Sequence, residues 1–197
     1  MRALSLMAVV LCASVALPLR AAELAAAGVP MAAVWKQRKV EFHYFGRTSR
    51  YSCDGLRDKM RAMLLEMGAR QDLRVTAHGC EVGGINLNGL SPGLSIEFHS
   101  PAPRGEVTAP PGGGDAKPAA DAFEARYEPF VFRRDAFRNL NVGDCELVEE
   151  FLHQIIPKLS VRELKSDVTC VPYSQAGAQY RVSGEVLRAV PAANAPR

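Results

Sequence analysis

Two stretches of this chain repeat one pattern of cysteine and apolar residues, and the second stretch begins 92 positions after the first. Ser52 and Cys53 correspond in this register to Asp144 and Cys145. Serine and aspartate both cap helix N-termini. The apolar residues that follow have the spacing of a single stripe on a helix. They are Leu56, Met60, Met63, Leu64 and Met67 in the first stretch and Val148, Leu152, Ile155, Ile156 and Leu159 in the second. The common register predicts an internal duplication.

Runs with alternating apolar residues lie on both sides of each predicted helix, and alternation of this kind predicts strands. In chain order they are residues 40–44, 73–77 and 94–98 around the first helix and residues 127–132, 168–171 and 180–187 around the second. Each unit is therefore expected to have the order β-α-β-β. The two strands that flank a helix should be parallel through a right-handed crossover, and the third strand should return antiparallel.

The predicted fold class is α+β, with two tandem β-α-β-β units at residues 33–100 and 123–190. We expect helices on one face of a mostly antiparallel sheet. Gly68 should end the first helix, and Pro157 should bend or end the second. Whether the two units share one continuous sheet stays open at this point.

Residues 101–122 are rich in proline, glycine and alanine and predict a linker between the units. The linker is either a passive spacer or a mobile tether that docks on a partner. Residues 191–197 are expected to form a flexible tail.

The N-terminus has the layout of a secretory signal peptide, with a basic start, an apolar run and small residues where a peptidase would cut. We assign residues 1–22 to it, so the mature protein should be periplasmic or secreted. An uncleaved membrane anchor is the alternative. Cleavage removes two arginines and no acidic residue, which lowers the formal charge from +3 to +1. This near-neutral balance argues against a nucleic-acid partner, and no other apolar stretch is long enough to span a membrane.

Four cysteines remain after cleavage, and an even number in an exported chain predicts two disulfides. The spacings fit neither a CxxC redox motif nor the usual zinc ligand pairs. Of the three possible pairings we favour Cys53 with Cys80 and Cys145 with Cys170. In each pair a helix runs away from the first cysteine and a strand returns toward its start.

Three histidines form a weak candidate metal site. His43, His78 and His99 fall out of phase with the apolar residues of their strands, on the side that also carries Glu41 and Glu97. Imidazole and carboxylate groups bind zinc or copper. The alternative is an ordinary solvated sheet face, and no metal or other cofactor is assigned.

Other side chains have competing interpretations. Met60, Met63 and Met67 are expected in the core, although methionines at this spacing also form partner-binding grooves. Trp35 is expected to anchor the start of the first unit. The basic residues of the first helix predict a solvated face rather than a receptor for acidic groups; they are Arg57, Lys59 and Arg61.

No catalytic residues are predicted, because the sequence has no GxSxG, HExxH or phosphate-loop motif. The run Tyr51-Ser-Cys-Asp-Gly-Leu-Arg-Asp-Lys-Met, with Gly79-Cys80 further on, resembles exported proteobacterial proteins of unknown function. The leading hypothesis is a non-catalytic binding or envelope-accessory module that recognises a protein or envelope component. The alternative is a metal-binding protein or hydrolytic enzyme that uses the His43/His78/His99 face.

Overall fold

The computed structural model describes residues 28–79, 92–106, 122–134 and 140–191. The predicted signal peptide, Cys80 and residues 192–197 of the predicted tail lie outside the described residues. So do residues 107–121 of the predicted linker. In the described ranges, neither α-helix is long and apolar enough to cross a membrane.

The chain folds as α+β, with two α-helices and six strands in the described residues. The strands are β1 (Met31–His43), β2 (Arg74–His78), β3 (Gly93–Pro103), β4 (Phe123–Arg133), β5 (Val161–Val171) and β6 (Ser174–Ala189). The helices are α1 (Cys53–Glu66) and α2 (Cys145–Gln154). Three short 3-10 turns span Arg104–Glu106, Val142–Asp144 and Ile156–Lys158.

The six strands form one continuous sheet in the order β2-β3-β1-β4-β6-β5, and every adjacent pair is antiparallel. The two sides of the sheet meet at β1 and β4, where Met31–Ala33 pair with residues 123–125. This central ladder of three residue pairs answers the question that the sequence left open.

The strands that flank each helix run in the same direction. β3 is antiparallel to both β1 and β2 and lies between them, and β6 lies in the same way between β4 and β5. The predicted directions are therefore confirmed. The strand limits differ from the prediction, because β1 begins at Met31, β3 continues through Pro103 into the predicted linker, and β5 begins at Val161.

Both helices begin at the predicted cysteine, but their caps differ. The Ser52 hydroxyl accepts a hydrogen bond from the backbone N–H of Gly55 at 3.1 Å. Asp144 lies at the corresponding place before α2, but its side chain makes no capping hydrogen bond, contrary to prediction. Gly68 follows α1 with a φ of +79°, a conformation that favours glycine. α2 ends at Gln154, before the 3-10 turn that contains Pro157.

One hydrophobic core joins both helices to the same face of the sheet. The predicted helical stripes pack in this core, but positions 155, 156 and 159 of the second stripe lie after the end of α2 rather than in the helix. Met60, Met63 and Met67 are fully buried, so they belong to the core and form no partner groove. Phe42 of β1, Phe98 of β3 and other alternating residues supply the strand side.

The predicted disulfide between Cys145 and Cys170 is confirmed, with an S–S distance of 2.02 Å. It connects the start of α2 to the far end of β5. Cys53 is also in a disulfide bond. Because Cys80 lies outside the described residues, its pairing with Cys53 stays a prediction.

Candidate functional site

The three candidate histidines lie on the sheet face opposite the helices, called here the outer face, but they do not converge. His43 and His78 are both register partners of Gly93 in β3. His99 lies six positions farther along β3, which corresponds to roughly 20 Å. Each of two rings has its own carboxylate neighbour, with 3.8 Å from His78 Nε2 to Glu41 and 3.8 Å from His99 Nδ1 to Asp72.

The surroundings of His99 also disfavour metal binding at its Nδ1. The Arg70 guanidinium lies 3.1 Å from this atom, and a guanidinium can only donate. The hydrogen bond from Arg70 also lowers the pKa of Asp72 below its usual range. Within the described residues, no group of three His, Cys, Asp or Glu side chains is arranged to hold a metal ion.

An aromatic and apolar group lies at the centre of the outer face, where β1 meets β4. Trp35 and Phe123 stack across this junction, with ring centroids 4.7 Å apart. Met31 and Tyr127 pack beside three buried residues, Ala33, Ala125 and Leu187. We call the half-buried members of this group, Met31, Trp35, Phe123 and Tyr127, the central patch.

Two arginines lie over aromatic rings of the central patch. The Arg70 guanidinium is 5.6 Å from the centroid of Trp35, and the Arg162 guanidinium is 4.1 Å from that of Tyr127. Both contacts are within the range of cation–π attraction. Arg70 is paired with Asp72 and Arg162 with Glu185, and the two arginine side chains are 41% and 47% exposed. They therefore line the patch as partly exposed, ion-paired groups.

The two arginine–aromatic pairs occupy corresponding positions in the chain. Tyr127 follows Trp35 by 92 positions, and Arg162 follows Arg70 by the same 92 positions. The offset that relates the helical stripes therefore also relates these pairs. This signal is present in the sequence, but both arginines lie outside the predicted helices, so the helical stripes do not reveal it.

A second polar group, called the helix-start cluster, lies buried beneath the loop between β1 and α1. It consists of Tyr44, Tyr51, Lys59, Asp144 and Glu146. Asp144 is 1% exposed; it accepts hydrogen bonds from the Tyr51 hydroxyl and from Lys59, whose Nζ is 2.8 Å away. Lys59 is therefore not part of a solvated face, contrary to prediction.

The Glu146 side chain binds the backbone of the same loop. Its carboxylate accepts hydrogen bonds from the N–H groups of Arg47 and Thr48, each at 2.7 Å.

Arg61, another residue predicted to be solvated, donates to the carbonyl oxygens of Gln71 and Leu73. These basic residues hold neighbouring segments in place, whereas Arg57 is paired with exposed acidic residues at the surface.

Burial changes the chemistry of the two tyrosines in the helix-start cluster. Burial and the hydrogen bond to Asp144 raise the pKa of Tyr51 far above its usual range. Burial and the negative charge of Glu146 raise the pKa of Tyr44 in the same direction. Both phenols therefore act as hydrogen-bond donors in a buried structural cluster, which suits a clamp between segments better than a reactive site.

Comparison with known proteins finds no matching family model, no matching curated protein and no matching solved structure. The central patch is the candidate site that the geometry of the chain itself supports.

Proposed function

We propose that the protein is a non-catalytic binding module of the periplasm or the extracellular space, whose central patch docks on a protein or another envelope component. The proposal includes export through residues 1–22 and a relationship to exported proteobacterial proteins. It also includes two duplicated β-α-β-β units that share one sheet. The identical strand order on the two sides of the β1–β4 junction and the common 92-residue offset support the duplication.

The composition of the central patch is the observation that carries the binding function. Tryptophan, tyrosine and arginine are the residues that most often dominate binding energy at protein interfaces. Here Trp35, Tyr127, Arg70 and Arg162 lie together with Phe123 on one face. Both α-helices pack on the other face, in the core, so the core does not require this concentration of half-buried aromatic residues.

The proposed partner is a macromolecule rather than a reactant. The candidate histidines are spread along the sheet, and the buried tyrosines donate to carboxylates within the protein. A hollow of about 280 Å³ lies beside the patch and is lined by residues at the starts of β1 and β4, including Met31 and Phe123. A broad, shallow face with aromatic anchors suits a protein–protein contact.

Site-specific photo-crosslinking in cells that produce the full chain tests this proposal. A photoreactive residue replaces Phe123 in the patch and, as a matched control, the exposed Phe45 in the loop after β1. We expect a defined covalent adduct from position 123 in the periplasmic or secreted fraction. The adduct should fall about tenfold or more when Trp35→Ala is added, as for an interface hot spot.

Equal adducts from positions 123 and 45, or no adduct from position 123, would contradict docking at the central patch. Retention of the chain in the cytoplasm with residues 1–22 intact would contradict export. Thermal unfolding of the Trp35→Ala variant provides the control that the sheet is still folded.

A further inference from the structure

A cavity of about 750 Å³ lies where β4 ends and the first part of β6 continues beyond it. The ladder between the two strands extends to Arg133, which is opposite Arg181. Residues 175–180 of β6 lie past that point and line the cavity, together with Val142 in the turn before α2. The volume is within the range of pockets that hold small organic ligands.

The residues that line this cavity, called here the arginine cavity, carry positive charge. Ten described residues line it; three of these are arginines, Arg133, Arg134 and Arg181, and none of these ten is acidic. Gln175 and Gln179 add side-chain amides. The whole chain has 24 basic and 21 acidic residues, so the cavity concentrates positive charge in a protein whose overall charge is nearly balanced.

The positions of Arg133 and Arg181 do not stabilise the fold. They are directly opposite each other on adjacent antiparallel strands, and like charges in this position destabilise a sheet. Both are exposed, and within the described part of the chain neither side chain has a hydrogen bond or an ion pair. Asp167 faces Arg181 from β5, on the other side from β4, and does not line the cavity.

Two neighbouring guanidinium groups suit an anion. Each can donate paired hydrogen bonds to phosphate or carboxylate oxygens, and such charge-assisted bonds are among the strongest that side chains make. A ligand with several anionic groups could contact the Arg133/Arg181 pair and Arg134 together. The size of the cavity also favours a molecule larger than one phosphate ion.

We propose that the arginine cavity binds a small polyanion that carries two or more phosphate or carboxylate groups. This site is separate from the central patch and requires no macromolecular partner. The inference therefore goes beyond the proposed function, and either can fail without the other.

Isothermal titration of the purified protein with inorganic tripolyphosphate and, separately, with citrate tests the proposal. The two probes distinguish a phosphate ligand from a carboxylate ligand. We expect at least one of them to bind, with weaker affinity at higher salt. Arg133→Gln and Arg181→Gln should each weaken binding about tenfold or more, because each removes charge-assisted hydrogen bonds. Arg74→Gln, on the exposed edge strand β2, is the matched control and should change affinity less than about twofold.

Thermal unfolding separates loss of the site from loss of the fold. Because Arg133→Gln removes a like-charge contact, the variant should unfold at the same temperature as the native protein or higher. The absence of binding by both probes at millimolar concentration would overturn the proposal. So would binding that Arg74→Gln weakens as much as Arg133→Gln does, since this would indicate only a general attraction to a basic surface.

Discussion

Asp144 and Glu146 are buried carboxylates that connect the start of α2 to the first half of the chain. A buried charge is tolerated only where hydrogen bonds and opposite charges replace its hydration. Asp144 obtains them from Tyr51, from Lys59 and from the backbone N–H of Asn141. The residue 92 positions earlier is Ser52, an exposed cap. The two residues that the proposed duplication aligns therefore differ, since one is a surface cap and the other a buried connection.

Tyr51 should make the protein less stable at alkaline pH. Its pKa is raised in the fold, so the phenol stays protonated there, while in the unfolded chain it ionises near its ordinary value of 10.0. The contribution of Tyr51 to the free energy of unfolding is fully present below about pH 10. It is lost progressively above that pH, because the unfolded state then binds fewer protons than the folded state. We expect the free energy of unfolding to fall by about 1.4 kcal/mol per pH unit from this tyrosine. Urea denaturation between pH 8 and 11 should give a shallower decline for Tyr51→Phe, and equal slopes would refute the prediction.

At the scale of elements, α1 and α2 could be predicted well because each buries one apolar stripe. The start of β5 could not be predicted in this way. Residues 162–167 are exposed and almost entirely polar, so they show no alternation. They form a strand because they pair with β6, with a register shift between Arg162 and Lys165. A bulge of this kind also disrupts the exposed edge that β5 offers to other strands.

The arm formed by β5 and the first half of β6 should depend on the Cys145–Cys170 disulfide. Most of this arm is exposed, and the bond closes a segment with a sequence separation of 25 residues. The chain-entropy model assigns such a loop roughly 3–4 kcal/mol. We expect the double variant Cys145→Ser/Cys170→Ser to lose about that amount of unfolding free energy in urea denaturation.

Tyr173→Phe is the control for this arm. It removes only the 3.1 Å hydrogen bond between Arg47 and an exposed tyrosine near the tip, which should cost less than about 1 kcal/mol. A double-cysteine variant no less stable than Tyr173→Phe would show that the disulfide does not stabilise the arm.

At the scale of the molecule, the sequence predicts the elements but not how the two sides join. The β1–β4 ladder has three residue pairs, and its residues are mostly alanines and other apolar residues without a distinctive pattern. The helix-start cluster could not be predicted from the sequence either. Lys59 and Asp144 are 85 positions apart, and in the sequence they look like a surface lysine and a helix cap. Long-range polar contacts leave no periodic signal in one sequence. They nevertheless decide whether the two sides behave as one body.

The two sides of the sheet should therefore unfold together. The central ladder alone would be a weak connection, but the hydrophobic core includes both helices and the helix-start cluster adds buried charged hydrogen bonds between them. Scanning calorimetry should show one transition whose calorimetric and van't Hoff enthalpies agree. Asp144→Asn leaves Lys59 without its buried counter-charge and should cost about 3 kcal/mol. Native-state hydrogen exchange should record this loss equally in α1 and α2. A loss confined to α2, or two separate transitions, would mean that the halves are stable independently and that the buried carboxylates only position a loop.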